Sequence, residues 1–216
     1  TANNNNVLGS SKSFYDGTIV RSGATLVLAS NNFSYSIQEW LMFEEGSTLR
    51  VEPTIGGYNS MHANGVMDFR GDTTVDIVSG DFYFNSSGAG YLMGSGDIIK
   101  DGNATLDIDE YSPDYTGGIV VKDGTVRLYG VANNPLPNAN SITIGLNDTT
   151  NRSTVAFKPW LSRNSQAGVW DINQDIAVQG FSTDTQLGSH DYNHNDVLNY
   201  NGDIDLSNFG SNGWTG

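Results

Sequence analysis

Residues 94–130 read GSGDIIKDGNATLDIDEYSPDYTGGIVVKDGTVRLYG. In Thr105, Leu106, Asp107, Ile108 and Asp109 apolar and polar residues alternate, so Leu106 and Ile108 share one face of a strand and the polar residues take the other. The unit is a short apolar strand, a turn carrying Gly, and a second strand of the form Thr-(Leu/Val)-x-apolar. It recurs at residues 19–28 (IVRSGATLVL), 41–51 (LMFEEGSTLRV), 67–77 (MDFRGDTTVDI), 98–108 (IIKDGNATLDI) and 119–128 (IVVKDGTVRL). A looser copy opens with ITIG at Ile142 and resumes with STVAF at residues 153–157, and a weak one begins at Ile176.

The key position of the second strand falls at Leu26, Leu49, Val75, Leu106, Val126 and Val155, with spacings of 23, 26, 31, 20 and 29. A period of that size that tolerates insertions is the mark of a solenoid. Helical signals are almost absent; the only helix-like spacing lies at residues 38–45 and is short and uncapped. A one-sided strand recurring without helices is best buried by coiling the chain into a parallel β-helix, an all-β fold with continuous inward apolar ladders. At this period the chain supplies roughly eight or nine coils, a rod on the order of 40 Å long. A β-sandwich is the competing fold, but whole units recur here, not merely strands. If the second strands stack, Val27, Arg50, Asp76, Asp107, Arg127 and Ala156 form one outward column, with Asp107 beside Arg127.

The chain has 216 residues, of which 16% are charged, 24 acidic against 10 basic, for a net charge of −14. That balance argues against nucleic acid, whose phosphates require a basic surface, and against an anionic membrane. No apolar run approaches the roughly 20 residues that cross a bilayer, and residues 1–6 lack the features of a signal peptide, so any targeting segment is expected elsewhere. Aromatics at 11% and only 5 prolines oppose disorder. With no cysteine, neither a disulfide framework nor a thiolate site is possible.

The stretch 94–130 closely resembles the passenger-associated repeat of bacterial autotransporters. The matching positions are Gly94, Gly96, Ile98, Lys100, Gly102, Leu106, Ile108, Tyr115, Thr116, Gly117, Gly118, Val121, Gly124, Thr125, Val126 and Leu128. Asp107, Asp109 and Glu110 depart from the pattern, which has small or uncharged residues there. The resemblance implies that residues 1–216 are a single passenger segment folded as a right-handed parallel β-helix, a fragment of a larger chain. It also implies display on, or secretion from, the outer membrane through a β-barrel, and the absence of cysteine fits passage through a narrow pore. Passengers of this shape include adhesins, toxins and enzymes, so activity has to be argued from residues.

A protease of the kind some passengers carry needs Gly-Asp-Ser-Gly; GSGD at Gly94 and VSGD at Val78 lack that order. Nothing in the sequence marks a triad around His62, His190 or His194. On a strand, His190 and His194 would stand about 13 Å apart, too far for one metal. Asp191, Asn193 and Asn195 follow the opening of a calcium loop, yet Asp196 replaces its Gly and Gly202 its closing Glu. No catalytic residue, metal or cofactor is therefore expected, with calcium at those three positions the one alternative kept open. The acidic cluster Asp107, Asp109, Glu110 and Asp114 could serve a glycan-cleaving groove, but basic residues to bind a uronate are scarce, and solvated outer faces are the preferred reading. Tyr83, between Phe82 and Phe84, is expected to face outward. Residues 157–170, with Trp160 and Trp170, are expected to protrude as a recognition loop.

The function expected is non-catalytic: an adhesin segment that mediates host attachment or bacterial self-association. Its partner would be a host surface protein, a glycan or a second passenger, held by many weak contacts along a stiff polar face. The candidate contact residues are Asp107, Asp109, Glu110, Tyr111, Asp114, Trp160 and Trp170. The alternatives are a carbohydrate-active β-helix and a purely structural stalk.

Overall fold

A computed structural model describes residues 17–30, 34–53, 60–84, 90–130, 136–146, 155–161, 169–180, 185–188 and 197–208. Among them there is no helix, and every strand pairing is parallel. The chain passes in turn along three faces and returns to the first, so sheet neighbours lie one coil apart. The first face stacks Thr18–Val20, Leu41–Phe43, Met67–Phe69 and Leu92–Gly94. The second stacks Thr25–Ser30, Ser47–Pro53, Thr73–Ile77, Ile98–Asp101, Ile119–Val121, Ser141–Ile144, Asp175–Val178 and Ile204–Asp205. The third stacks Ser34–Ile37, Ser60–Ala63, Asp81–Phe84, Thr105–Ile108, Gly124–Gly130, Val155–Leu161 and Thr185–Leu187. A separate pair joins Val169–Ile172 to Val197–Tyr200. This is a parallel β-helix; the antiparallel pairing a sandwich requires does not occur among the described strands.

The expected eight or nine coils hold as rungs only on the eight-stranded second face. All three faces are complete for about five turns, the fifth closed on the first face by the single bridge between Gly94 and Tyr115. Beyond it the insertions between second-face strands lengthen, and the first face has no further strand among the described residues.

Alternation sends every second side chain into the lumen, where in-register stacking makes ladders. Leu49, Val75, Lys100, Val121, Ile144 and Val178 form one on the second face, and Met61, Phe82, Leu106, Val126 and Phe157 one on the third. All are buried, and each apolar member contributes roughly 1.5–3 kcal/mol relative to exposure. On the first face Phe43 stacks on Phe69 with ring centroids 5.2 Å apart. Lys100 breaks the apolar ladder, and its ammonium is spent on the corner: Nζ donates to the carbonyls of Asp101 (2.7 Å), Gly102 (2.6 Å) and Asp123 (3.0 Å). Burial depresses its pKa to about 8, against the pull of Asp123, Asp101 and Asp76.

The corners leave backbone amides to be satisfied, and acids do it from the coil before. Glu45 Oε2 accepts from the Asp72 amide (2.9 Å), Asp72 Oδ1 from the Asp97 amide (2.9 Å) and Asp97 Oδ1 from the Gly118 amide (2.7 Å). The same corner brings backbones so close that a Cβ on Gly96 would lie 2.2 Å from the carbonyl carbon of Gly71, which only glycine allows.

The outward column expected from the repeats divides in two. Leu26, Leu49 and Val75 lie on the second face, whereas Leu106 and Val126 lie on the third. The first three sequence units span the corner between first and second faces, the next three the corner between second and third. Asp76 therefore neighbours Asp101, not Asp107, and Val126 pairs with Phe157, not Val155. Both corners join an apolar strand to another through a Gly turn, so their sequences look alike.

Candidate binding face

The third face presents an outward column that carries aromatic and charged side chains in register. With Met61, Ala63, Phe82, Phe84, Leu106, Ile108, Val126 and Leu128 buried, the intervening residues point away from the lumen. Register aligns Ser36, His62, Tyr83, Asp107, Arg127 and Lys158 on successive coils, each about 4.8 Å from the next.

Arg127 organises its middle. Its Nε and Nη2 donate to the two carboxylate oxygens of Asp107 at 2.6 and 2.5 Å, and Nη2 also lies 3.2 Å from Asp81 Oδ2. Burial opposes the guanidinium's charge, but the Asp107 hydrogen bond and the charges of Asp107 and Asp81 prevail and hold its pKa above the ordinary value. Tyr83 lies beside this cluster, its hydroxyl 3.5 Å from Asp81 Oδ2. Burial first, then Asp107 and Asp81, push its pKa up to about 12, so it remains a neutral donor at any physiological pH. One coil earlier the His62 ring stacks on Tyr83, centroids 4.7 Å apart and planes 16° from parallel, with Nε2 3.0 Å from Ser60 Oγ. Rings stacked along the rod axis turn edges outward, which suits hydrogen bonding to a ligand better than face-on stacking.

The expected contact residues do not gather in one place. Asp107 belongs to this column, but it is 1% exposed, so the solvated acidic edge expected there is replaced by a buried ion pair. The reason is the register, which sets Arg127 directly opposite. Asp109 and Glu110 are half-buried, whereas Tyr111, at 52%, and Asp114 are exposed. These four start the loop that closes the open edge of the first face. There Ser112 Oγ accepts from the Leu92 amide (2.9 Å), the Asp114 carbonyl from the Gly94 amide (3.2 Å) and the Gly94 carbonyl from the Thr116 amide (2.9 Å). Buried Ser112 and Tyr115 flank that loop, with the Tyr115 hydroxyl donating to the Gly118 carbonyl at 2.6 Å.

Of residues 157–170, expected to protrude as a recognition loop, the described ends are strand, with Trp160 in Val155–Leu161 opposite Tyr129 and Trp170 in Val169–Ile172 opposite Leu198, while residues 162–168 lie outside the described residues. Val155–Leu161 runs on as strand because Gly124–Gly130 supplies it with seven partners in register. Asp191, Asn193 and Asn195, like His190 and His194, lie outside the described residues. Among the described residues no three acidic or histidine side chains form a metal-binding group. Alternation gives Tyr83 and Arg127 their outward side from sequence alone, but it joins them to His62 and Asp81 only once each strand has its face.

No family model matches the chain, and neither a curated protein nor a solved structure shows significant similarity to it.

Proposed function

We propose that this β-helix is a non-catalytic adhesive segment displayed at a bacterial surface, the passenger of an autotransporter whose outer-membrane β-barrel carries it out or releases it. The supporting observation is the outward column of the third face, where His62, Tyr83, Asp107 and Arg127 stand in register on successive coils. There Asp107 and Arg127 offset one another as an ion pair, with Asp81 at its edge, leaving a strip of mixed donors and acceptors on a chain whose net charge is −14. Such a strip suits a neutral polar partner, a host glycan or protein surface, bound through many modest contacts. Host attachment and self-association are both adhesive outcomes of the same rod. Displaying the segment on a non-adherent strain and scoring host-cell attachment and clumping tests the proposal. A gain in either is expected, and no gain in both overturns it.

A second reading, a spacer within a longer stack, is favoured by the last rung among the described residues. Ile204 continues the ladder of Ile176 in register, yet it is 45% exposed and Leu206 50%. Those side chains are positioned for another coil to cover.

A further inference from the structure

Glu39 is 1% exposed at the corner that leads into the second coil. Its Oε1 accepts a 2.6 Å hydrogen bond from the Thr18 hydroxyl, while Oε2 is buried with no hydrogen-bond partner among the described residues. Thr18 opens the first strand, which is tied to the same corner by its amide on the Trp40 carbonyl (2.9 Å) and farther along by the Glu44 amide on the Val20 carbonyl (3.0 Å). The segments packed on either side bring no charged side chain: Thr18–Val20 offers the Thr18 hydroxyl, and residues 64–66 offer the Asn64 amide, whose Oδ1 is also buried and without a partner among the described residues. The backbone closes tightly there, since a Cβ on Gly65 would lie 2.0 Å from the Glu39 carbonyl oxygen. A carboxylate in this position keeps a charged oxygen dry and unpaired, which costs more than burying the neutral carboxylic acid in the same place.

We infer that Glu39 is an acid-tightened latch on the first coil, gripping the first strand most firmly when its carboxyl carries a proton. Burial raises the pKa of Glu39, and the Thr18 hydrogen bond offsets this only in part. For an acid raised in the folded state, the stabilisation is fully present below the unfolded value and is lost as pH rises through the folded value. The first coil is thus firmer in mildly acidic surroundings than at neutral pH, independently of whether the outer face is adhesive.

The test is hydrogen exchange at the Thr18 and Glu44 amides, corrected for intrinsic rates, at pH 4 and pH 7.5, for the native chain and Glu39→Gln. Native protection should fall several-fold at pH 7.5, while Glu39→Gln should be equally protected at both and exceed the native chain at pH 7.5. Equal native protection at both pH values, or weaker protection of Glu39→Gln at pH 7.5, overturns the latch. A carbon-detected titration of the native Glu39 carboxyl decides independently of the variant's folding: a midpoint above that of an ordinary glutamate is expected, and one at or below it contradicts the inference.

Discussion

Arg127 reaches back one coil to clasp both carboxylate oxygens of Asp107, at 2.6 and 2.5 Å, on a face where Asp107 is almost wholly excluded from water. Removing one member of a buried pair leaves an uncompensated charge, whereas removing both removes the problem. Arg127→Met should therefore destabilise the chain by about 3–5 kcal/mol in urea unfolding. Asp107→Leu combined with Arg127→Met should return to within about 1 kcal/mol of the native chain. Additive losses would mean that the two side chains do not interact.

Lys100 makes a prediction in pH. Its folded pKa, about 8, lies below the unfolded value of 10.5, so between those values the unfolded chain binds more protons and stability rises with pH. The gain is bounded at about 3 kcal/mol. Tyr83 and Tyr200, each raised to about 12, oppose it above pH 10, which makes pH 8–10 the clean window. Thermal melts of the native chain should rise across that window relative to Lys100→Met, whose slope should be flatter. Parallel slopes would show that Lys100 does not titrate there.

Gly96 and Gly188 form a matched contrast. A Cβ on Gly96 meets the Gly71 backbone at 2.2 Å, whereas one on Gly188 meets nothing within 4 Å among the described residues. Gly96→Ala should cost several kcal/mol or prevent folding, as overpacking against backbone does. Gly188→Ala should change stability by no more than about 1 kcal/mol in either direction. Denaturant midpoints of the two variants decide the matter.

On the adhesive proposal, His62→Ala should lower attachment of the displayed segment by about tenfold, the loss of one hydrogen-bonding side chain. Its melting temperature should stay within a few degrees of the native chain, because the ring lies outside the lumen. Unchanged attachment would move the binding face away from this column.

The coil, its parallel strands and its lumen were legible from alternation and period, and so was the neighbouring of Asp107 and Arg127. The face on which each unit sits was not, because the two kinds of corner share the same local pattern. The spacing of 31 between Val75 and Leu106 marks the place where the reading passes from the second face to the third. The net charge was legible as a sum but not in its placement. Glu45, Asp72 and Asp97 serve as caps on amides of the following coil, an arrangement invisible until residues some 25 positions apart are brought together. His62 and Tyr83 were likewise separated by a coil, so nothing local connected them.

The outward column exists only if the faces are assigned as described, and the absence of native cysteine makes that assignment testable by cross-linking. Thr74 stands opposite Ile99 on the second face, about 4.8 Å away, within disulfide reach. A single uniform column would instead set Thr74 opposite Thr105. Under mild oxidation, the Thr74→Cys, Ile99→Cys pair should form an intramolecular disulfide and the Thr74→Cys, Thr105→Cys pair should not. The reverse outcome would contradict the three-faced coil and the binding face built on it.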